Sequence, residues 1–288
     1  MPDWAKNCPK NQSGPLPERW MSVTITTDDF LDHAIAVHQF KSGGHRSGLD
    51  AILLAATVPE QTRGRVADLG AGAGVVGMAV AHRCPEVTVD LFEIDPDLVS
   101  LARKSIQMDR NSHLAGRVCS TCADVGETAA LLGTNGALQG DFQYVVSNPP
   151  FNDQHHRPSP NDRRSLAHSA AADDPEKWLK AASVLLPPRG CMVFIVRPSN
   201  LQDYLAVLPR WFGGVCIKPI HATAQKSANR VLIGARKASR AATQILPPLI
   251  VHGADGDFTP EADAILRGRA AIAFILWSFT TRFAVTIH

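Results

Sequence analysis

The chain has 288 residues, 45% of them hydrophobic and 19% charged, with a net charge of +2. That length and apolar share suit one generous α/β domain, or one domain with a small appendage, and the small net charge excludes a polycation. No stretch reaches the roughly 18 apolar residues of a membrane span, the nearest being residues 270–279. The charge is unevenly spread: residues 151–250 hold 14 Lys/Arg against 6 Asp/Glu, a local balance of +8 that leaves −6 for the rest. A basic segment of that kind is compatible with an anionic partner at one face. Six scattered cysteines (8, 84, 119, 122, 191 and 216) without a signal-peptide pattern lead us to expect a reduced, cytoplasmic setting.

In chain order, residues 1–22 read as a disordered or extended leader, because Pro2, Pro9, Pro15 and Pro17 interrupt any period. Residues 23–39 alternate loosely, which predicts one or two short strands, and residues 43–48 form a glycine-rich loop. Residues 49–57 predict an apolar helix with Asp50 near its start and Pro59 beyond its end. A short buried strand follows over 65–69, then Gly70-Ala71-Gly72-Ala73-Gly74 and a helix to about 82. Residues 87–94 predict the second strand of this series. Asp95 is a good N-cap and Pro96 fits the first helical position, so a helix runs from there to about 109. Further strands are expected over 117–123, 144–147 and 191–196, with helices over 176–186 and 201–208. Residues 215–220 and 230–235 close the series as an antiparallel pair. Strands alternating with helices at this spacing give an α/β fold with a doubly wound, mainly parallel sheet.

In such sheets ligands bind beyond the carboxyl ends of the strands. Four predicted strand ends carry chemistry. The first leads into glycines at 70, 72, 74 and 77, and Gly72-x-Gly74-x-x-Gly77 matches the dinucleotide fingerprint. A nicotinamide enzyme is therefore a rival reading. Against it, Asp68 would repel a pyrophosphate but attract an ammonium group. Glu93 ends the next strand, where a carboxylate can accept both hydroxyls of a ribose, and Asp124 follows the third, where it can accept from an adenine amino group. A donor with a cationic amino-acid end and a ribose fits S-adenosyl-L-methionine. The fourth strand stops in Asn148-Pro149-Pro150-Phe151. Two prolines make a rigid extended exit. The Asn148 amide oxygen and the Pro149 carbonyl can then accept both hydrogens of one planar NH2 group, with Phe151 as a flat face for the ring that carries it. Cys119 and Cys122 have no second pair at ligand spacing, so they read as structural and no metal is expected. His155-His156 reads as a solvated loop, and Trp178 with Leu179 and Leu185 as core.

Taken together, Asp68 to Gly74, Phe92-Glu93-Ile94-Asp95, Ala123-Asp124-Val125 and Asn148 to Phe151 resemble the motif series of class I S-adenosylmethionine-dependent methyltransferases acting on planar nitrogens. The upstream stretch from Phe40 through His45, Arg46 and Asp50 resembles the bacterial tRNA1(Val) adenine N6-methyltransferase family, which modifies an adenine in the anticodon loop. Pro219, Ala228-Asn229-Arg230-Val231 and Phe258-Thr259-Pro260-Glu261-Ala262 extend the likeness. His45 departs from it, since the family has an aromatic residue there.

The resemblance implies a seven-stranded Rossmann-like methyltransferase sheet with an antiparallel last strand, a methyltransferase domain over 23–268 and an apolar tail of unassigned role over 269–288. It also implies S-adenosyl-L-methionine as cofactor and tRNA as partner. Asn148, Pro149 and Phe151 would be catalytic. Arg46, Asp68, Gly70, Gly72, Gly74, Glu93, Asp124 and Asn148 would hold the cofactor. Pro150, Arg157, Arg163 and Arg164 would meet the substrate. Two further readings stay open beside the nicotinamide one: methylation of an amide or another base amine, such as a glutamine side chain of a release factor or an rRNA base, and a non-catalytic RNA-binding module.

Overall fold

The computed structural model describes residues 24–41, 48–127, 131–132, 139–150 and 174–274. The expected leader, Arg46, the stretch from Phe151 through Arg164, and residues 275–288 lie outside the described residues.

The elements are β1 (Ile25–Phe30), β2 (Ile35–Phe40), α1 (Leu49–Ala55), β3 (Gly64–Leu69), α2 (Val75–Arg83), β4 (Val87–Glu93), α3 (Pro96–Ile106), β5 (Val118–Cys122), β6 (Phe142–Ser147), α4 (Pro175–Leu185), β7 (Cys191–Val196), α5 (Leu201–Val207), β8 (Phe212–His221), β9 (Ala228–Lys237), β10 (Gln244–Ile245), β11 (Leu249–Ile250) and α6 (Pro260–Leu266). Three helices start by one local device, a capping side chain followed by proline. Asp95 accepts from the Asp97 N–H at 2.8 Å, Asp174 from Glu176 at 2.9 Å and Thr259 from Ala262 at 3.2 Å. Each satisfies an N–H that has no intrahelical acceptor, and the proline that follows gives up none.

The main sheet runs β10-β8-β9-β7-β6-β3-β4-β5, with β11 also on β8. All pairings are parallel except those of β9, which is antiparallel to both β7 and β8. The expected seven-stranded sheet with its antiparallel last strand is thus present. The two-residue strands β10 and β11 widen it to nine, too short to leave a period in the sequence. The sheet is covered on both faces, and strand alternation divides the core accordingly. Val66, Val89, Leu91, Val146 and Val193 face α1 and α2, whereas Ala67, Leu69, Phe92, Val145 and Met192 face α4.

Several boundaries moved. The third helix stops at Ile106 and a 3-10 turn takes over at Asp109–Leu114. There the buried Asn111 amide bridges the Ala36 N–H and carbonyl at 3.1 and 2.7 Å, fastening the separate β1–β2 hairpin to the domain. The closing pair is longer at both ends than its apolar stretch, because ladder bonds continue into polar residues. Within the tail, Ile272 donates to the Ala56 carbonyl at 2.8 Å, and Ile272 and Phe274 are buried in the α1–α2 face of the core.

Candidate active site

The parallel register sets four strand ends on one rim. Leu69 of β3 pairs with Phe92 of β4 on one side and with Ser147 of β6 on the other, while Glu93 pairs with Cys122. The glycine loop therefore leaves the sheet between the Glu93 and Asn148 ends. Ser147 Oγ donates to the Leu69 carbonyl at 2.7 Å, which fixes the end of β6 against the residue before Gly70.

Each glycine of the loop has a separate reason. Gly70, Gly72 and Gly74 have φ of +67°, +56° and +89°, where a side chain is strained. A Cβ on Gly70 would lie 2.7 Å from the Trp178 ring, so the predicted core tryptophan is also the floor of the loop. A Cβ on Gly77 would lie 2.1 Å from Leu91 Cδ2 and 2.9 Å from Val89 Cγ1, so this glycine seats α2 on the sheet. A Cβ built on Gly72 would have nothing within 4 Å, so that side of its backbone is open to an approaching ligand. These positions should separate in a titration. Gly77→Ala is expected to lose about 1–3 kcal/mol of stability from overpacking, against a helix gain of at most about 1 kcal/mol. Gly72→Ala should cost about 1–2 kcal/mol of backbone strain and weaken donor binding at least tenfold. Melting temperature and donor Kd, measured on both variants, check this. A Gly72 variant that binds as well as wild type would contradict it.

Two buried carboxylates lie under and beside the loop. Asp68 accepts from the Gly77 N–H at 2.9 Å. Glu93 accepts from Gly72 at 2.8 Å with one oxygen and from Asp95 at 2.9 Å with the other. Burial pushes Asp68 up to about 7, with the Gly77 N–H opposing and the nearby Glu93 charge adding to the rise. Burial raises Glu93 as well, against the pull of the Asp95 and Gly72 N–H groups. Among the described residues, neither carboxylate has a Lys, Arg or His partner. Two such acids with no cation between them suit a cationic ligand and disfavour a pyrophosphate.

Asp124 lies at the next rim position, where its Oδ1 accepts from the Gly126 N–H at 2.7 Å and meets Lys177 Nζ at 2.7 Å. Sequence reasoning missed Lys177 and Ser147, since both act across the sheet. It also passed over Ile94, which follows Glu93 and is 50% exposed, an apolar side chain beside a carboxylate. An apolar residue left open at a strand end was the available signal.

Asn148 is half-buried, Pro149 buried and Pro150 exposed at the end of β6. Asn148 Oδ1 is shielded from solvent and has no hydrogen-bond partner among the described residues. An unsatisfied buried acceptor costs about 1–3 kcal/mol. An acceptor in that state can take a hydrogen bond from a donor that a ligand brings.

The MTS family, described as the methyltransferase small domain, matches residues 47–215. The chain belongs to the methyltransferase small domain family. By that family the chain is a methyltransferase. A Porphyromonas gingivalis protein named tRNA1(Val) (adenine(37)-N6)-methyltransferase is 28% identical over 233 residues, 75% of this chain and 85% of that one. A stretch of 101 residues, 35% of this chain and 26% of the other, is 32% identical to Ribosomal RNA small subunit methyltransferase C of Haemophilus influenzae. Among solved structures, a predicted O-methyltransferase of Agrobacterium tumefaciens superposes with a TM-score of 0.67 at 33% identity, over 78% of this chain and 99% of that one. Among the described residues no group of three or more His, Cys, Asp or Glu could hold a metal, and no helix is long and apolar enough to cross a membrane.

Proposed function

We propose that this methyltransferase moves the methyl group of S-adenosyl-L-methionine to the exocyclic N6 of an adenine in the anticodon loop of tRNA, with a valine tRNA as substrate. The observation that carries the reading is the buried Asn148 Oδ1, without a hydrogen-bond partner among the described residues, beside a loop flanked by two carboxylates that have no cationic partner among those residues. When bound, the donor supplies an electrophilic methyl group on a sulfonium. Asp68 would favour its positive amino-acid end and Glu93 its ribose hydroxyls. Ile94 would offer an apolar face to its adenine, and Asp124, held by Lys177, would stand at the edge of that ring. Gly70, Gly72, Gly74 and Arg46 complete this set.

At the acceptor side, Asn148 Oδ1 and the Pro149 carbonyl would each take one hydrogen of the target amine. That leaves the nitrogen lone pair directed at the methyl group, and catalysis is then mostly positioning and preorganised charge. The proton leaves after transfer, so no strong base is required beforehand. A pair of acceptors matches the two hydrogens of an NH2 group; a hydroxyl has only one, which argues for nitrogen over oxygen as the target. Phe151 would stack on the base, next to Pro150. Arg157, Arg163 and Arg164 in the basic segment would meet phosphates. The names of the relatives favour adenine in tRNA over a glutamine side chain.

The test is transfer of labelled methyl to tRNA that lacks the modification, followed by digestion to nucleosides. N6-methyladenosine is the expected product. Label found instead in a release-factor protein, or in rRNA alone, would refute the substrate.

A further inference from the structure

The rim that carries Asn148 continues well beyond it. Because β9 is antiparallel to both its neighbours, β8 runs in the same direction as β6 and β7, and β11 runs with β8. The end of β11 therefore opens on the same rim as Asn148, four strand spacings or about 19 Å across the sheet, and further out along the strand direction, since Ser147 is level with Ile217 whereas β11 pairs with Ile220 and His221. There His252 and Phe258 bridge the two sides of a loop and stack, with ring centroids 4.9 Å apart and planes at 21°. The loop is fastened to the neighbouring β8–β9 turn by the His252 N–H on the Ala222 carbonyl at 2.9 Å. His252 Nδ1 lies 3.1 Å from the Gly256 carbonyl, which can only accept, so this nitrogen carries the hydrogen and the ring orientation is set.

Phe258 is nevertheless 46% exposed, one of three large apolar side chains so exposed among the described residues. It opens the Phe258-Thr259-Pro260-Glu261 stretch, to which the catalytic chemistry assigns no role. The β8–β9 turn, bonded to this loop through Ala222, presents Lys226, exposed and with no side-chain partner among the described residues, while its carbonyl is held by His221 Nδ1 at 2.7 Å. Asp255 and Asp257 are exposed on the same loop, and Glu261 follows. These carboxylates disfavour a phosphate directly over the rings, but they suit the amino and imino donors on a base edge.

We propose that the His252–Phe258 pair is a stacking platform for an unpaired nucleobase of the RNA substrate, separate from the target adenine, with Lys226 taking an adjacent phosphate. A fixed aromatic face beside a single cation is how unpaired RNA is held without reading a duplex. Binding the substrate at two points at least about 19 Å apart would align the loop base with Asn148 while contributing nothing to the chemical step. The proposal rests on RNA being the substrate.

The experiment is steady-state methylation of unmodified tRNA by wild type, Phe258→Ala, Phe258→Trp and Lys226→Ala. Phe258→Ala is expected to raise KM for tRNA about tenfold, with kcat within about twofold and melting temperature unchanged. Phe258→Trp should restore KM. Lys226→Ala should reduce the slope of log KM against log salt by about one. An active wild type with unchanged KM in Phe258→Ala overturns the platform alone. So does a loss accompanied by a lower melting temperature that tryptophan does not restore, since that makes Phe258 a packing residue. A wild type that transfers no methyl to tRNA refutes the substrate reading itself, and the platform with it.

Discussion

Asn148→Ala is expected to lower kcat for methyl transfer by about 10²- to 10³-fold while leaving the protein as stable as wild type or more stable. The rate loss is the size seen when one preorganised polar group at a reacting centre is removed. The stability effect has the opposite sign from most buried substitutions. Asn148 Oδ1 has no partner among the described residues, so deleting it breaks no hydrogen bond there and removes a desolvated acceptor. Paired measurements of turnover and melting temperature decide the matter. Full activity in the variant would exclude Asn148 from the reaction. A fall in melting temperature alongside the rate would make it a structural amide.

The second expectation concerns pH. Asp68 has its carboxyl raised from 3.8 to about 7, chiefly by burial. Between those values the folded protein holds a proton on Asp68 that the unfolded chain has released, so the stability Asp68 contributes falls as pH rises through this window. The Asp68 contribution is flat below about pH 4, where both states are protonated, and flat again above about 7. A gap of that width is worth about 4 kcal/mol. Asp68→Asn keeps an acceptor for the Gly77 N–H and removes the titration. It should match wild type near pH 4 and exceed it by up to that amount above pH 7. Donor binding should run the other way. A bound cation favours the ionised acid, so wild-type affinity should rise as pH passes through about 7, and the asparagine variant should bind weakly without that rise. Denaturant melts and donor titrations across pH 4–8 test both halves. Parallel stability profiles for the two proteins would show that Asp68 is not the buried acid inferred here.

How much of this was legible depended on whether an interaction lies along the chain or across it. Asp95 with Pro96 announces a helix start because cap and proline act within four residues, and the structure has that cap. The glycines at 70, 72 and 74 mark a turn because the backbone there adopts positive φ. Glu93 and Asn148 could be placed at strand ends from the apolar runs before them. Lateral partners were not legible. Nothing near Asp124 in sequence points to Lys177, and nothing near Ser147 points to Leu69, 78 residues away. Sheet order chooses those neighbours, and a strand's own pattern says which face is buried but not which strand lies beside it. The two-residue strands β10 and β11 escaped for a related reason, since two residues carry no alternation. As a result, the far end of the rim with His252 and Phe258 was invisible until the sheet was assembled.

The Ser147–Leu69 bond also bears on how the enzyme comes into being. It joins the glycine loop to the strand end that carries Asn148 across a single strand step, yet the chain between them runs through α2, β4, α3 and β5. Contacts of such sequence separation carry a large loop-closure cost and form after local ones. Helices and the β3–β4 pair can therefore exist in a chain whose proposed catalytic centre has not closed. Recovered methyl transfer during refolding would then report closure of the β3–β6 seam, a later and stricter event than the return of helical signal.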